Sequence, residues 1–127
     1  MANKKEFGER NRNLSNKLLG EKTYLDWVVT TAFYSSIHFV EDNILPTQVN
    51  GKTCTNISDV KEAYTLNGRH AARLKLVYDK LGYKIGAKYQ WLDDQSRNSR
   101  YSTYKITQDK ADKAKQYLDE IYTQCYP

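Results

Sequence analysis

Hydrophobic positions along this chain recur at helical spacing, and one stretch carries them on almost every side. From Thr23 to Leu45, Leu25, Val29, Ala32, Ser36 and Val40 repeat at that spacing, and Val28, Phe33, Ile37 and Ile44 widen the face until little of it is polar. A helix apolar nearly all round belongs in the middle of a bundle rather than on its surface. Its length would suit a membrane span, but Asp26, His38, Glu41 and Asp42 would be costly in lipid. The expectation is therefore a central helix of a soluble protein with no membrane partner. One line along it departs from plain core. Trp27, Thr31, Tyr34, His38 and Glu41 follow a 4-3-4-3 spacing and share one side.

The flanking segments read as further helices. Residues 4 to 19 place Phe7, Asn11, Leu14 and Leu18 on one stripe, with Gly20 as a C-cap. Thr23 offers an N-cap oxygen with Asp26 three residues on, and Pro46 stops the central helix. Residues 46 to 58 are the main irregular segment, where Asn50-Gly51 allows Gln48-Val49 to face Lys52-Thr53 in a short hairpin. A helical turn follows over 58 to 64. The next helix starts near Asn67, with Ala71, Leu74, Val77 or Tyr78, and Leu81 on one side, and Gly82 ends it. A helix over Ile85 to Tyr101 turns Ile85, Tyr89, Leu92 and Ser96 inward, with Trp91 flanking. The last helix, capped by Thr107, carries Ala111, Ala114, Leu118, Ile121 and Cys125 on one face. No repeat or linker interrupts the pattern, so residues 1–127 read as one all-α domain, an antiparallel up-and-down bundle of four to five helices.

Composition narrows the function classes. The chain has 127 residues, enough to bury one core without staples. Its net charge of +5 favours a polyanion partner without demanding one. Most of the 11 tyrosines lie after residue 60 among lysines and arginines. That pattern suits base stacking and phosphate contact, and tyrosines lining helix contacts explain much of it too. Cys54 and Cys125 are far apart and there are 2 histidines, so neither a cofactor nor a protein-held transition metal is expected. The first residues show no apolar signal segment, which makes the cytoplasm the default location. Phosphate-cradling loops, the dinucleotide fingerprint and the paired-histidine zinc motif are all absent from the sequence.

Four constellations can carry chemistry. Tyr34, His38 and Glu41 lie together on the central helix, where a carboxylate one turn away can fix a histidine tautomer for general-base work. The plainer alternative is a buried histidine satisfied by a neighbour. Asn67-Gly68-Arg69-His70, with Arg73, stands at a helix entrance whose free N–H groups attract anions. Cations there oppose the dipole, a mismatch that a bound phosphate or carboxylate would relieve. In Asp93-Asp94-Gln95-Ser96-Arg97-Asn98-Ser99-Arg100-Tyr101, the two arginines can grip one anion while Ser96 and Tyr101 add hydroxyls. The acids upstream can equally absorb those arginines in salt bridges along the helix. Lys110, Lys113 and Lys115, balanced by nearby acids, read as a solvated face.

The run from Asp26 to Glu41, then Gly68-Arg69-His70 to Arg73, then Leu92 to Tyr101 resembles small bacterial members of the HEPN superfamily. The resemblance spans most of the chain. It implies an up-and-down helical bundle, commonly a homodimer. It also implies either a metal-independent ribonuclease of toxin or phage-defence systems, or a non-catalytic partner protein. Active members carry an arginine, four to six residues, then a histidine; a ribose 2′-hydroxyl attacks the adjacent phosphate while the histidine handles a proton and the arginine steadies charge. Here no arginine precedes His38 or His70 at that spacing, and no histidine follows Arg97 or Arg100. A composite site would restore the set: His38 facing Arg97, Arg100 and Tyr101 across the bundle, or His70 and Arg73 joining them.

Two functions follow as expectations. The first is a HEPN-like protein binding RNA or nucleotide phosphate, with His38 or His70 as proton carrier, Arg97 and Arg100 holding phosphate, and Tyr34 and Tyr101 positioning it. Its implied partners are a second copy of the chain and a protein from a neighbouring gene. The second is a non-catalytic interaction module in which Tyr34, His38, Glu41, Arg97 and Arg100 form a buried structural network.

Overall fold

The computed structural model describes residues 3–127. Six helices and one hairpin follow in order: α1 (Lys4–Glu21), α2 (Leu25–Ile44), β1 (Thr47–Val49), β2 (Lys52–Cys54), α3 (Ile57–Tyr64), α4 (Arg69–Leu81), α5 (Tyr83–Tyr101) and α6 (Gln108–Cys125). The class is all-α, and the two short strands are its only sheet among the described residues. Six helices stand where four to five were expected, because residues 57–64 close into a full helix. The Asn56 side chain accepts from the Asp59 amide at its start.

α2 is the centre. Val28, Val29, Ala32, Phe33 and Phe39 are fully buried along it, and each of the larger side chains contributes about 1.5–3 kcal/mol. Small polar residues let its neighbours approach. Ser35 Oγ donates to Gly8 O at 2.6 Å and Ser15 Oγ donates to Val28 O at 2.9 Å, so α1 runs antiparallel to α2. α5 also runs antiparallel to α2, with Thr30 meeting Ser99 at 3.0 Å and Phe33 packing on Tyr89. α6 runs alongside α2 in the same direction, where Phe39 meets Tyr122 and Asn43 Nδ2 donates to Cys125 O. α4 covers α5 through Tyr78 and Gln90.

Several local expectations change. α1 packs through Gly8 and Ser15, not through Phe7 and Leu14, which stay 46% and 45% exposed. The small residues permit close helix contact, and Gly8 lies directly against Phe39. Gly20 is inside α1; the chain leaves it through Lys22 at φ 53 and Tyr24 at φ 49, so Tyr24 and not Thr23 occupies the N-cap of α2. α4 buries Ala72, Leu76 and Val77, while Ala71 is exposed. The hairpin pairs Gln48 with Thr53 and Val49 with Lys52, as the sequence predicts. Asn50 and Gly51 both take positive φ, the geometry its tight turn requires. Among the described residues no helix is long and apolar enough to cross a membrane.

Candidate functional site

The polar line of α2 opens to the surface between α1 and α5. Trp27 is 47% exposed, Tyr34 and His38 are half-buried, and only Thr31 is shut in. Glu41 lies deepest among its charged groups. Its Oε1 accepts from Lys4 Nζ and its Oε2 from Arg73 Nε, both at 2.8 Å. Burial pushes this carboxyl up, but the bonds and charges of the two cations outweigh it and hold the group below the ordinary carboxylate value.

That pairing corrects the expected role of Glu41. It is committed to two cations and makes no hydrogen bond to His38. The His38 ring instead stacks on Phe7, with centroids 5.5 Å apart. Burial, with Lys4 and Arg73 nearby, lowers its pKa from the usual 6.5 against the opposing pull of Glu41. His38 is therefore neutral at pH 7, with one nitrogen free to accept and one to donate.

α4 begins at Gly68, whose backbone is extended and offers no side-chain cap, and no acid stands in the first turn. Arg69 and His70 are exposed there. Arg73 points inward to Glu41, so it braces the α2–α4 contact and is not an open anion ligand. Desolvation and the charges of Arg73, Arg97 and Arg100 lower the His70 pKa, opposed by Asp93. His70 thus feels the charges of the α5 arginines without a hydrogen bond to either.

On α5, the Asp93 carboxylate accepts from Arg97 Nε at 3.1 Å and Nη2 at 3.4 Å. Asp93 is nearly buried, while the Arg97 side chain remains 52% exposed. Arg100 is braced differently. Its Nη1 donates to Tyr34 Oη at 2.9 Å, its Nε donates to Ser96 O at 3.2 Å, and its guanidinium lies 5.2 Å from the Tyr101 ring centroid. Tyr101 itself is 79% exposed. Ser96 is fully buried, with an unpartnered Oγ, so it contributes its carbonyl to Arg100 and cannot offer its hydroxyl to phosphate. This corrects its expected role as a phosphate contact.

The sequence-predicted residues thus fall into two neighbouring groups. Tyr34, Arg97, Arg100, Tyr101 and His70 gather around the outer side of α5. His38 belongs with Lys4, Glu41 and Arg73, and makes no hydrogen bond with Arg97 or Arg100. Lys4 carried no local signal, because its partner lies 37 positions away. The Asp93–Arg97 pair is visible in sequence as a spacing of four.

The described hollows lie elsewhere. A cleft of about 790 Å³ sits between the α4–α5 corner and the end of α6, lined by Tyr83, Lys84, Lys88 and Glu120 among others. The arginine–tyrosine cluster is an open surface, which fits a polymer backbone better than an enclosed small molecule. Two guanidiniums there can meet phosphate oxygens, and a neutral imidazole beside them can accept a proton. No family model matches the chain, and no curated protein or solved structure matches it.

Proposed function

We propose that this chain is a HEPN-like protein that binds RNA by its phosphates on the outer side of α5. The observation that carries the reading is the bracing of Arg100, which is fixed by Tyr34 and the Ser96 carbonyl beside exposed Tyr101. A guanidinium held this way loses little freedom when it takes a phosphate oxygen. Arg97, paired with Asp93 on one side and 52% exposed on the other, supplies a second cation, and Tyr101 a ring for a base. The antiparallel runs of α1, α2 and α5 support the HEPN-like up-and-down bundle. On the same resemblance we place the protein in the bacterial cytoplasm, in a defence or toxin setting, as a homodimer that a neighbouring gene product can join.

A metal-independent ribonuclease is the catalytic extension of this reading, favoured by His70. Its imidazole is exposed, and partial burial together with the charges of Arg73, Arg97 and Arg100 lowers its pKa from the usual 6.5. It would take the proton of a ribose 2′-hydroxyl as that oxygen attacks the adjacent phosphate and the P–O5′ bond breaks, the departing 5′-oxygen taking a proton from water, with Arg97 and Arg100 steadying the added charge. The competing interaction module draws support from the Glu41–Arg73 pair, each side chain 12% exposed.

One gel tests both readings. Labelled RNA is incubated in EDTA with the wild type, Arg100→Ala and His70→Ala, each first shown to be folded. Binding should weaken at least about tenfold in Arg100→Ala, the loss of a charged hydrogen bond. Cleavage leaving 2′,3′-cyclic ends should vanish in His70→Ala while its binding persists. RNA left unshifted by the wild type at low salt contradicts the proposal; binding without cleavage removes only the ribonuclease extension.

A further inference from the structure

The side of α5 turned to α6 carries rings and cations that the arginine surface leaves unused. The Trp91 and Tyr117 rings meet edge to face with centroids 5.3 Å apart, and both are half-buried. Lys113 Nζ lies over the pair, 5.2 Å from the Trp91 centroid and 5.3 Å from that of Tyr117. Lys113 is therefore not part of a balanced, solvated row. Lys115 spends its charge on Asp119 at 2.8 Å, whereas among the described residues neither Lys113 nor Lys84 is paired with an acid. Lys88 joins these rings to the 790 Å³ cleft at the α4–α5 corner. Its ammonium lies 5.9 Å from the Tyr117 centroid, meets Glu120 at 3.1 Å and lines the cleft. There Tyr83, 78% exposed, stands beside Lys84.

The rings and the cations together define the occupant. An ammonium over two ring faces can be exchanged for another flat partner: a base takes the ring while the lysine turns to the phosphate next to it. An acidic peptide would answer the lysines and leave the rings without a partner. A single nucleic-acid strand answers both. Tyr83 precedes Trp91 by eight residues on α5, about 12 Å along the axis, so an extended strand can run from the ring pair to the cleft. The connection from α5 to α6 carries exposed Tyr104 and Lys105, which makes this side continuous with the surface of Arg100 and Tyr101.

We propose that the α5–α6 side is a second subsite for the same RNA strand. Trp91 and Tyr117 stack one unpaired base, Lys113 takes its phosphate, and Tyr83 and Lys84 receive the strand at the cleft. The inference rests on RNA binding at the α5 arginines and lengthens that footprint. It also selects single strands, because a duplex keeps its base faces covered.

Tryptophan fluorescence tests it, since the chain has 2 tryptophans and Trp27 lies on α2. In a Trp27→Phe protein the signal comes from Trp91 alone. A labelled oligouridylate of about ten nucleotides, within the range of single-strand sites, is titrated while its anisotropy and the Trp91 emission are read together. Emission should be quenched saturably with the same midpoint as the anisotropy. Lys113→Glu, an exposed change that leaves the ring packing in place, should weaken binding at least about tenfold, and the same reversal at Lys17 on α1 by less than about twofold. A duplex of equal length should leave Trp91 unquenched. Binding seen by anisotropy with no quenching, or equal losses in Lys113→Glu and Lys17→Glu, overturns the second subsite and leaves the arginine surface standing. Quenching by the duplex equal to that by the single strand also overturns it. An absence of any anisotropy change overturns both.

Discussion

Arg100 holds its position through contacts to three different groups, and none of them is an acid. Tyr34 Oη, the Ser96 carbonyl and the Tyr101 ring orient its guanidinium but leave its charge uncancelled. Arg73 contrasts with it, since Glu41 takes its charge at 2.8 Å. Two arginines that look alike in sequence therefore do different work, one structural and one available to a ligand. The histidines add a pH signature. Burial lowers both His38 and His70 from 6.5, so in the folded protein each gains its proton only below that value. Between the folded and unfolded values the unfolded chain binds more protons, and stability must fall as pH drops below about 6.5. Glu41, lowered from 4.5, adds stability above that value and loses it as pH falls through its folded pKa. A proton NMR titration of the two imidazoles should give both midpoints below 6.5; either one at or above 6.5 contradicts the description of its surroundings. The spacing of Asp93 and Arg97 made their pairing readable in sequence. The Tyr34–Arg100 bond spans 66 positions and leaves no periodic trace.

Helix identity was legible because apolar spacing is a local signal, and α6 shows it best. Ala111, Ala114, Leu118, Ile121 and Cys125 are all buried, as their spacing predicts. α1 shows where the signal fails. Its large apolar residues advertise one stripe, but α2 is lined with Ser35 and Phe39, and the close contact goes to Gly8 and Ser15. Which face of a short amphipathic helix is buried depends on the surface it meets, and that surface is far away in sequence. A methyl group on Gly8 would sit 2.5 Å from Phe39 Cε1, and Phe39 is fully buried with nowhere to move. Gly8→Ala should therefore destabilise the fold by about 1–3 kcal/mol, even though alanine favours helix. Gly20, also helical, has nothing within 4 Å, and Gly20→Ala should stabilise by about 0.5–1 kcal/mol. Urea denaturation distinguishes the pair, and a Gly8→Ala protein as stable as the wild type would refute the close α1–α2 contact.

At the scale of the whole molecule, the net charge of +5 is distributed unevenly between two faces. The outer face of α1 is close to neutral and partly apolar. The surface around α5 and the start of α4 carries Arg69, Arg97 and Arg100, with Tyr101 and Tyr104 strongly exposed near the end of α5. One face suits a second protein surface and the other a polyanion with unpaired bases. Bulk composition could report the excess of positive charge but not its partition, because that depends on which lysines and arginines the fold neutralises. Lys4, Arg12, Arg73 and Lys115 are all consumed by acids within the chain, and Arg97 shares its charge with Asp93 at 3.1 Å, which leaves Arg100 the α5 arginine without an acid partner. RNA binding through phosphates on the α5 surface is the proposal on which the rest turns. Its most direct test is the affinity of the wild type and Arg97→Ala for a short single-stranded RNA across a salt series. Log affinity should fall linearly with log salt, and the slope should shrink by about 0.7 in Arg97→Ala, the share of a single neutralised phosphate. Affinity independent of salt, or the same slope in both proteins, would contradict phosphate-led binding at this surface.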